Sequence, residues 1–151
     1  MFWIIRFITF WAFWLVFADK SRWKEMLPVC SFAAFLGAFT DTITHHHAIW
    51  IYDTETVNLI AELLDDISVY PVVVYLFLQW LPKKRTPTKM LTYWFMWTAF
   101  ALSIEWIHVA TGHMNYNGWN MGYSYIADWF LFWLFYKYHK ILDLPRLNNK
   151  K

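Results

Sequence analysis

Charged residues are scarce in this sequence. Only 16% of its 151 residues are charged, against about a quarter in typical soluble domains. Hydrophobic residues make up 59% and aromatic residues 23%, including 12 tryptophans. The apolar residues form long blocks without a consistent helical or strand period, which excludes the one-sided patterning of a soluble domain. A soluble core of this size could not bury so many aromatic side chains, so the composition predicts an integral membrane protein.

Cysteine, repeats and linkers are also nearly absent. The single Cys30 excludes an intramolecular disulfide and therefore says nothing about the redox compartment. No internal repeat, low-complexity tract or linker divides the chain, and we expect one integral membrane domain over residues 1–151. Residues 1–18 lack a basic n-region and a small-residue cleavage site, so we expect a retained first span. Nothing in the sequence indicates nucleic-acid binding.

What the sequence does contain is five apolar segments. They cover residues 2–18, 27–48, 57–81, 91–111 and 124–136. About 20 helical residues at ~1.5 Å each span a hydrocarbon layer of ~30 Å. In the third segment, Pro71 should free the carbonyl of Ile67 and kink the helix. In the second, small residues four apart such as Ala33 and Gly37 suit close helix packing. These features predict an all-α, polytopic membrane bundle of five transmembrane helices.

The basic residues predict how the bundle is oriented. Arg6 is the one exception among 13; the others are Lys20, Arg22, Lys24, Lys83, Lys84, Arg85, Lys89, Lys137, Lys140, Arg146, Lys150 and Lys151. Placing all twelve on the cytoplasmic side puts the N-terminus outside and the C-terminus inside. His139 is then expected on the cytoplasmic surface. The outer connections contain no Lys or Arg, which predicts an electronegative mouth, and their Trp and Tyr residues are typical of an interfacial belt.

Ionisable residues inside the apolar segments are the main functional signal. Glu105 and His108 lie three apart on one face of the fourth segment, and a buried charge there costs several kcal/mol unless a partner offsets it. Counting ~1.5 Å per residue from the cytoplasmic basic residues places Asp41, Asp66 and Glu105 about 24 to 25 Å up, in one plane. His45 and His108 come level at about 28 to 32 Å. The sequence therefore predicts a shared polar site near the outer leaflet.

The residue types in that plane favour a cation, proton or polar-ligand site with a transport, sensing or ion-binding role. Glu-x-x-His spacing occurs in the metal sites of helical bundles, so a divalent metal ion is the candidate cofactor. Its predicted ligands are Asp41, His45, Glu105 and His108. Further binding residues are predicted to be Arg6, Asp65, Asp66, Tyr125 and Asp128. The structural alternative is a buried ion pair between Arg6 and Glu105.

Two other functions stay open at this point. One is a membrane-embedded enzyme acting on a lipid or isoprenoid, with Glu105 or Asp41 as general acid, His108 assisting and aromatic walls stabilising positive charge. The other is a structural subunit of a membrane assembly. A cation site should be small and hydrated, whereas a lipid enzyme needs a lateral, apolar-walled opening. Membrane lipids are the expected partners, and the small residues of the second segment allow a homo-oligomer or a membrane partner protein.

The last third of the chain contains a characteristic set of residues: Glu105, Trp106, Gly112, Tyr116, Trp119, Ser124, Asp128 and the run into Tyr138, His139 and Lys140. This set resembles a family of small, uncharacterised multi-pass membrane proteins from spore-forming Gram-positive bacteria. The resemblance implies a bacterial plasma membrane location and a topology, with no activity to carry over. The chain also has a looser similarity to small-subunit lycopene cyclases, although it lacks their Pro-x-Glu-Glu style motif.

Overall fold

The structure is a computed structural model that describes residues 2–47, 49–52 and 63–148, without the side chains of His45, His46 and Asn148. Within these ranges lie five α-helices of at least eleven residues: α1 (Phe2–Phe17), α2 (Trp23–His47), α3 (Val69–Gln79), α4 (Pro87–Ala110) and α5 (Met121–Ile141). Two strands and two short 3-10 helices accompany them: β1 (Trp50–Tyr52), β2 (Met114–Tyr116), Lys20–Arg22 and Leu144–Asn148. The all-α prediction is confirmed.

Helix lengths and bounds follow from local chemistry. In the described part of the chain, one helical stretch has both the length and the hydropathy needed to cross a membrane. It runs over Lys20–Thr44 and consists of the first 3-10 helix and most of α2. α1 is apolar but shorter, with 16 residues. α4 begins before its predicted start because Thr86 caps it. α5 also begins earlier than predicted, at Met121, because the Asn120 side chain accepts hydrogen bonds from the N–H groups of Gly122 and Tyr123.

α3 is the central helix of the bundle. Eight of its eleven residues are buried, as expected for a helix that is hydrophobic on every side. The continuous helix predicted over residues 57–81 is interrupted by a turn over Ile67–Ser68, and residues 53–62 lie outside the described set. Pro71 explains the break, since it has no N–H to donate to the Ile67 carbonyl. Beside the break, the Ser68 hydroxyl donates a hydrogen bond to the Leu64 carbonyl at 2.5 Å.

α2 packs closely against this central region through small residues. Ala33 is fully buried. A Cβ atom on Gly37 would collide with the Asp66 carboxylate and would lie 2.8 Å from the ring of Tyr70. The close packing predicted for the second apolar segment is therefore present, and its neighbour is the segment that contains Asp66 and α3.

One end of the bundle, which we call the basic end, joins the start of α2 to the ends of α1, α3 and α5. The Gln79 side-chain amide donates to the Phe17 carbonyl at 2.9 Å. The Tyr75 hydroxyl donates to the Asp19 carbonyl at 2.6 Å. The antiparallel helix order brings the basic segments 20–24, 83–89 and 137–146 to this end, and it leaves Arg6 at the opposite one.

The opposite end, which we call the sheet end, carries β1 and β2. The strands pair antiparallel, with Trp50 opposite Tyr116 and Tyr52 opposite Met114. The sequence predicts only connecting loops in these two places. The pairing was missed because strands of three residues are too short to produce an alternating pattern. Its consequence is that Tyr116 is held beside the outer ends of α4 and α5.

Candidate functional site

A cavity of about 300 Å³ lies in the half of the bundle nearest the sheet end. Its walls are mostly apolar and come from all five helices together with the sheet end, with Arg6 as the contribution of α1. The polar part of the lining consists chiefly of Arg6, Asp65, Glu105, His108, Ser124 and Asp128. Ligand sites in proteins typically measure about 300 to 1,000 Å³ and combine apolar walls with a few polar groups. This cavity is therefore suited to a small ligand.

Arg6 forms an ionic cluster at one side of the cavity. Its Nη1 atom donates to Asp65 Oδ2 at 2.5 Å and to the ring of His108. The rings of Trp3 and Phe10 lie 5.9 Å from the guanidinium carbon. The His108 nitrogen that faces Arg6 must carry a lone pair, because a guanidinium can only donate. Arg6 thus pairs with Asp65, whereas the sequence suggested Glu105.

Glu105 has hydroxyl partners. Its Oε1 atom accepts hydrogen bonds from the Tyr116 hydroxyl at 2.5 Å and from the Ser124 hydroxyl at 2.6 Å. The indole N–H of Trp119 donates to the Ser124 oxygen at 2.8 Å. Burial and the hydrogen bond to Glu105 raise the pKa of Tyr116 above its ordinary value. Glu105 is therefore held by two hydroxyl groups, one from the sheet end and one from α5.

Asp128 lines the same cavity one helical turn after Ser124. Asp128 and Glu105 thus line one cavity from neighbouring helices. Within the described residues, no hydrogen bond or ion pair reaches the Asp128 side chain. The Oδ1 atom of the buried Asp65 likewise has no hydrogen-bond partner in this part of the chain. The cavity therefore contains carboxyl oxygens whose hydrogen-bonding capacity is unused.

The structure brings together five of the nine residues predicted from the sequence: Arg6, Asp65, Glu105, His108 and Asp128. Asp41 and Asp66 are buried but lie outside the lining. The Asp66 carboxylate lies beside Gly37, a lining residue, without being part of the lining itself. Successive helical residues point about 100° apart, and Asp65 takes the lining position. Tyr125 is half-buried and also outside the lining.

The predicted metal set stays a prediction. The side chain of His45, one of its four residues, is outside the described set. Among the side chains that are described, no group of three His, Cys, Asp or Glu residues is placed to hold a metal ion. His108 and Glu105 instead have the hydrogen-bond partners given above, Arg6 for the imidazole and Tyr116 for the carboxylate.

A second ionic cluster lies at the basic end. Glu25, which is 1% exposed, accepts hydrogen bonds from Arg22 Nε at 2.9 Å, Arg22 Nη2 at 2.6 Å and His139 Nε2 at 2.7 Å. The prediction that His139 lies on the cytoplasmic surface is wrong, since it is 3% exposed. α5 continues to Ile141 and carries His139 to the start of α2. None of the three residues lines the cavity at the sheet end.

Sequence reasoning also missed the partners of Glu105. It assigned the Trp and Tyr residues of the outer connections to an interfacial belt, yet Tyr116 donates to Glu105 and Trp119 supports Ser124. A signal was available, because these residues belong to the set on which the family resemblance rests. The structure gathers Tyr116, Ser124 and Asp128 from that set around the single Glu105 carboxyl.

Comparison with known proteins gives no match to any family model, curated protein or solved structure. The chemistry of the cavity is therefore the basis on which a function can be inferred. That chemistry combines three carboxyl groups, one guanidinium and a mostly apolar wall.

Proposed function

We propose that this chain is a multi-pass plasma membrane protein that binds a small organic cation in the cavity at the sheet end, with Glu105 and Asp128 as counter-ions. One observation carries the proposal. Three carboxyl groups share a largely apolar cavity with a single guanidinium, and that guanidinium contacts Asp65 and His108. A ligand with a positive charge and an apolar body complements both the acids and the wall. Transport or sensing of such a cation follows naturally from an intramembrane site.

The membrane assignment is supported by the outer surface of the bundle. Large apolar side chains are exposed on four helices, including Ile4 on α1, Phe35 on α2, Met96 on α4 and Ile126 on α5. Soluble proteins rarely expose contiguous apolar patches larger than a few hundred Å². α3 is short, but it is enclosed by the other helices and does not need to span the bilayer alone. We therefore infer five transmembrane helices, although among the described residues one helix combines the length and the hydropathy of a span.

The distribution of charge supports the orientation. The basic residues of segments 20–24, 83–89 and 137–146 gather at one end, which makes the basic end cytoplasmic by the positive-inside rule. The sheet end and the N-terminus then face outward, and the C-terminus faces the cytoplasm. The cavity lies in the half of the bundle nearest the lysine-free end, where a negative potential attracts cations.

The lining favours an organic cation over a bare metal ion. Trp50 and Trp119 meet edge to face at 5.6 Å, and both line the cavity with Phe132 and Phe135. A cation over an aromatic face gains about 0.5 to 2 kcal/mol. A hard metal ion such as Ca²⁺ needs about six to eight oxygen ligands, which a mostly apolar wall does not supply.

The proposal is tested by titrating the protein in lipid nanodiscs with choline and with 3,3-dimethylbutan-1-ol, its uncharged isostere, while tryptophan fluorescence is recorded. We expect choline to bind and the isostere to bind at least tenfold more weakly. Glu105→Gln and Asp128→Asn should each weaken choline binding about tenfold or more, since a close counter-ion contributes at least ~1.4 kcal/mol. Asp143→Asn, which removes an exposed acid at the basic end, is the matched control.

Equal binding of the two isosteres would contradict the proposal, and so would unchanged choline affinity in both cavity variants. The apolar wall also favours a second function, an enzyme acting on a lipid or isoprenoid with Glu105 as general acid. In that case lipid extracts from cells expressing the wild type and Glu105→Gln should differ. Identical lipid profiles would rule out catalysis by Glu105.

A further inference from the structure

A second cavity, of about 270 Å³, lies between α1, α2 and α3. It shares no lining residue with the first cavity. Its lining includes Trp11 and Trp14 of α1, Trp23 and Leu27 of α2, and Tyr75 of α3. No charged side chain is part of this lining. The space therefore suits a hydrocarbon chain.

This second cavity opens sideways on the flank of the bundle. Trp23, Leu27 and Ile67 belong to its lining and are 51%, 54% and 42% exposed. On α2 the lining extends from Trp23 to Ala34, a distance of about 16 Å at ~1.5 Å per residue. That length matches one leaflet, which is half of a hydrocarbon layer of ~30 Å. In the topology proposed above, the opening faces the acyl chains of the cytoplasmic leaflet.

Two lysines lie where the second cavity, which we call the cleft, reaches the basic end of the bundle. Lys20 Nζ lies 6.0 Å from the ring centre of Trp14, and Lys24 Nζ lies 5.7 Å from that of Trp23. Both lysines are exposed, whereas Arg22 between them is bound to Glu25. The two tryptophans that support the lysines also line the cleft. The apolar cleft, which is about as long as one leaflet is thick, therefore ends at two accessible ammonium groups.

We propose that this cleft binds one acyl chain of an anionic phospholipid whose headgroup phosphate is held by Lys20 and Lys24. Lysine binds phosphate as a point charge, and the uncharged wall accepts the chain. A zwitterionic phospholipid carries a positive group that the two lysines would repel. The inference rests on the proposed membrane topology, but it is independent of the ligand in the first cavity.

The test uses the full chain in nanodiscs that contain equal amounts of phosphatidylglycerol and phosphatidylcholine, followed by native mass spectrometry of the released protein. We expect one retained phosphatidylglycerol per chain. The double variant Lys20→Gln/Lys24→Gln should reduce its retention about tenfold, since each lysine near an anionic headgroup contributes appreciably. The matched control is Lys83→Gln/Lys84→Gln, which removes two exposed lysines from another loop of the same end and should change retention less than twofold.

Filling the cleft tests the acyl-chain half of the proposal. Ala34→Phe and Ser31→Phe place a ring in the lining, and Ser31 is exposed, so its substitution should not disturb folding. Either variant should lose the retained phosphatidylglycerol. Inorganic phosphate should not displace the lipid. Equal losses in the two double-lysine variants, or full retention in the folded Ser31→Phe variant, would overturn the inference. Choline binding measured on the same samples shows whether the first cavity is intact, so the two proposals fail separately.

Discussion

The two ionic clusters of this bundle look alike in sequence and differ in structure. At the basic end, both Glu25 oxygens are used by Arg22 and His139, and none of these three residues lines either of the two cavities described above. At the sheet end, Asp128 lines a cavity of about 300 Å³ and receives no hydrogen bond from the described residues. One oxygen of Asp65 is also unused there. Burial of charge is common to both ends, whereas empty space beside unused acceptors is found only at the sheet end, as far as the described residues extend.

This difference separates a structural role from a binding role. A buried ion pair with complete hydrogen bonding holds helices together and offers nothing to a ligand. A carboxyl group that faces a cavity with spare acceptor capacity is stabilised when a cation or a donor arrives. We therefore expect substitutions at the basic end to reduce stability and substitutions of the cavity acids to reduce ligand binding.

The largest loss of stability is expected for Glu25→Gln. The change leaves Arg22 and His139 without their carboxylate. Breaking a fully buried pair costs ~3 to 5 kcal/mol, and because the Arg22 side chain is 28% exposed we expect about 2 to 3 kcal/mol. Chemical denaturation in mixed micelles measures it. Glu105→Gln is the comparison, and it should cost less than half as much, since Gln can still accept from Tyr116 and Ser124.

If Glu105→Gln proved as destabilising as Glu25→Gln, the contrast between the two ends would be lost. The choline titration sharpens the same comparison. A folded Glu25→Gln variant should keep wild-type affinity, because Glu25 is not part of the cavity.

A smaller loss is expected for Gly37→Ala. The added methyl group meets the Asp66 carboxylate and the Tyr70 ring, both of which belong to the packed interface of α2. Overpacking of this kind costs about 1 to 3 kcal/mol. The same denaturation experiment measures the change, with Ala38→Val on the exposed side of the next position as control. An unchanged midpoint for Gly37→Ala would show that the helices do not approach as closely as described.

Much of the fold could be predicted from the sequence because apolar blocks, proline and small residues are signals that lie within single segments. All five helices, the break near Pro71 and the close packing at Gly37 follow from such local rules. The strand pairing between Trp50 and Tyr116 could not be predicted, because it joins distant short segments without a periodic pattern. The sequence misplaces His139 because the apolar segment ends at residue 136, whereas α5 continues to Ile141.

The candidate site was predicted only in part. Counting residues along helices predicts that acids from separate helices lie near one another, and Asp65, Glu105 and Asp128 do line one cavity. Depth alone does not give direction, however, and a rotation of about 100° per residue decides whether Asp65 or Asp66 faces the cavity. Hydrogen-bond partners such as Tyr116 and Ser124 depend on how the sheet end folds over α4 and α5. That information is absent from spacing along a single helix.

The smallest effect is expected for Tyr116→Phe. Glu105 keeps the Ser124 hydroxyl, so we expect a loss of about 1 kcal/mol near neutral pH. The raised pKa of Tyr116 adds a pH dependence. Below its ordinary value of 10.0 the contribution of the phenol is fully present, and it declines above that pH because the unfolded chain loses its proton first. The stability difference between wild type and Tyr116→Phe should therefore shrink above about pH 10. A constant or growing difference would contradict it.

The most direct measurement is carboxyl labelling of the membrane-embedded protein with a small apolar carbodiimide, mapped by peptide mass spectrometry with and without choline. We predict adducts on Glu105 or Asp128 that choline suppresses, because these acids line the cavity, and none on Glu25, whose two oxygens are bound by Arg22 and His139. Labelling of Glu25 without labelling of the cavity acids would contradict the assignment of the sheet end as the binding site.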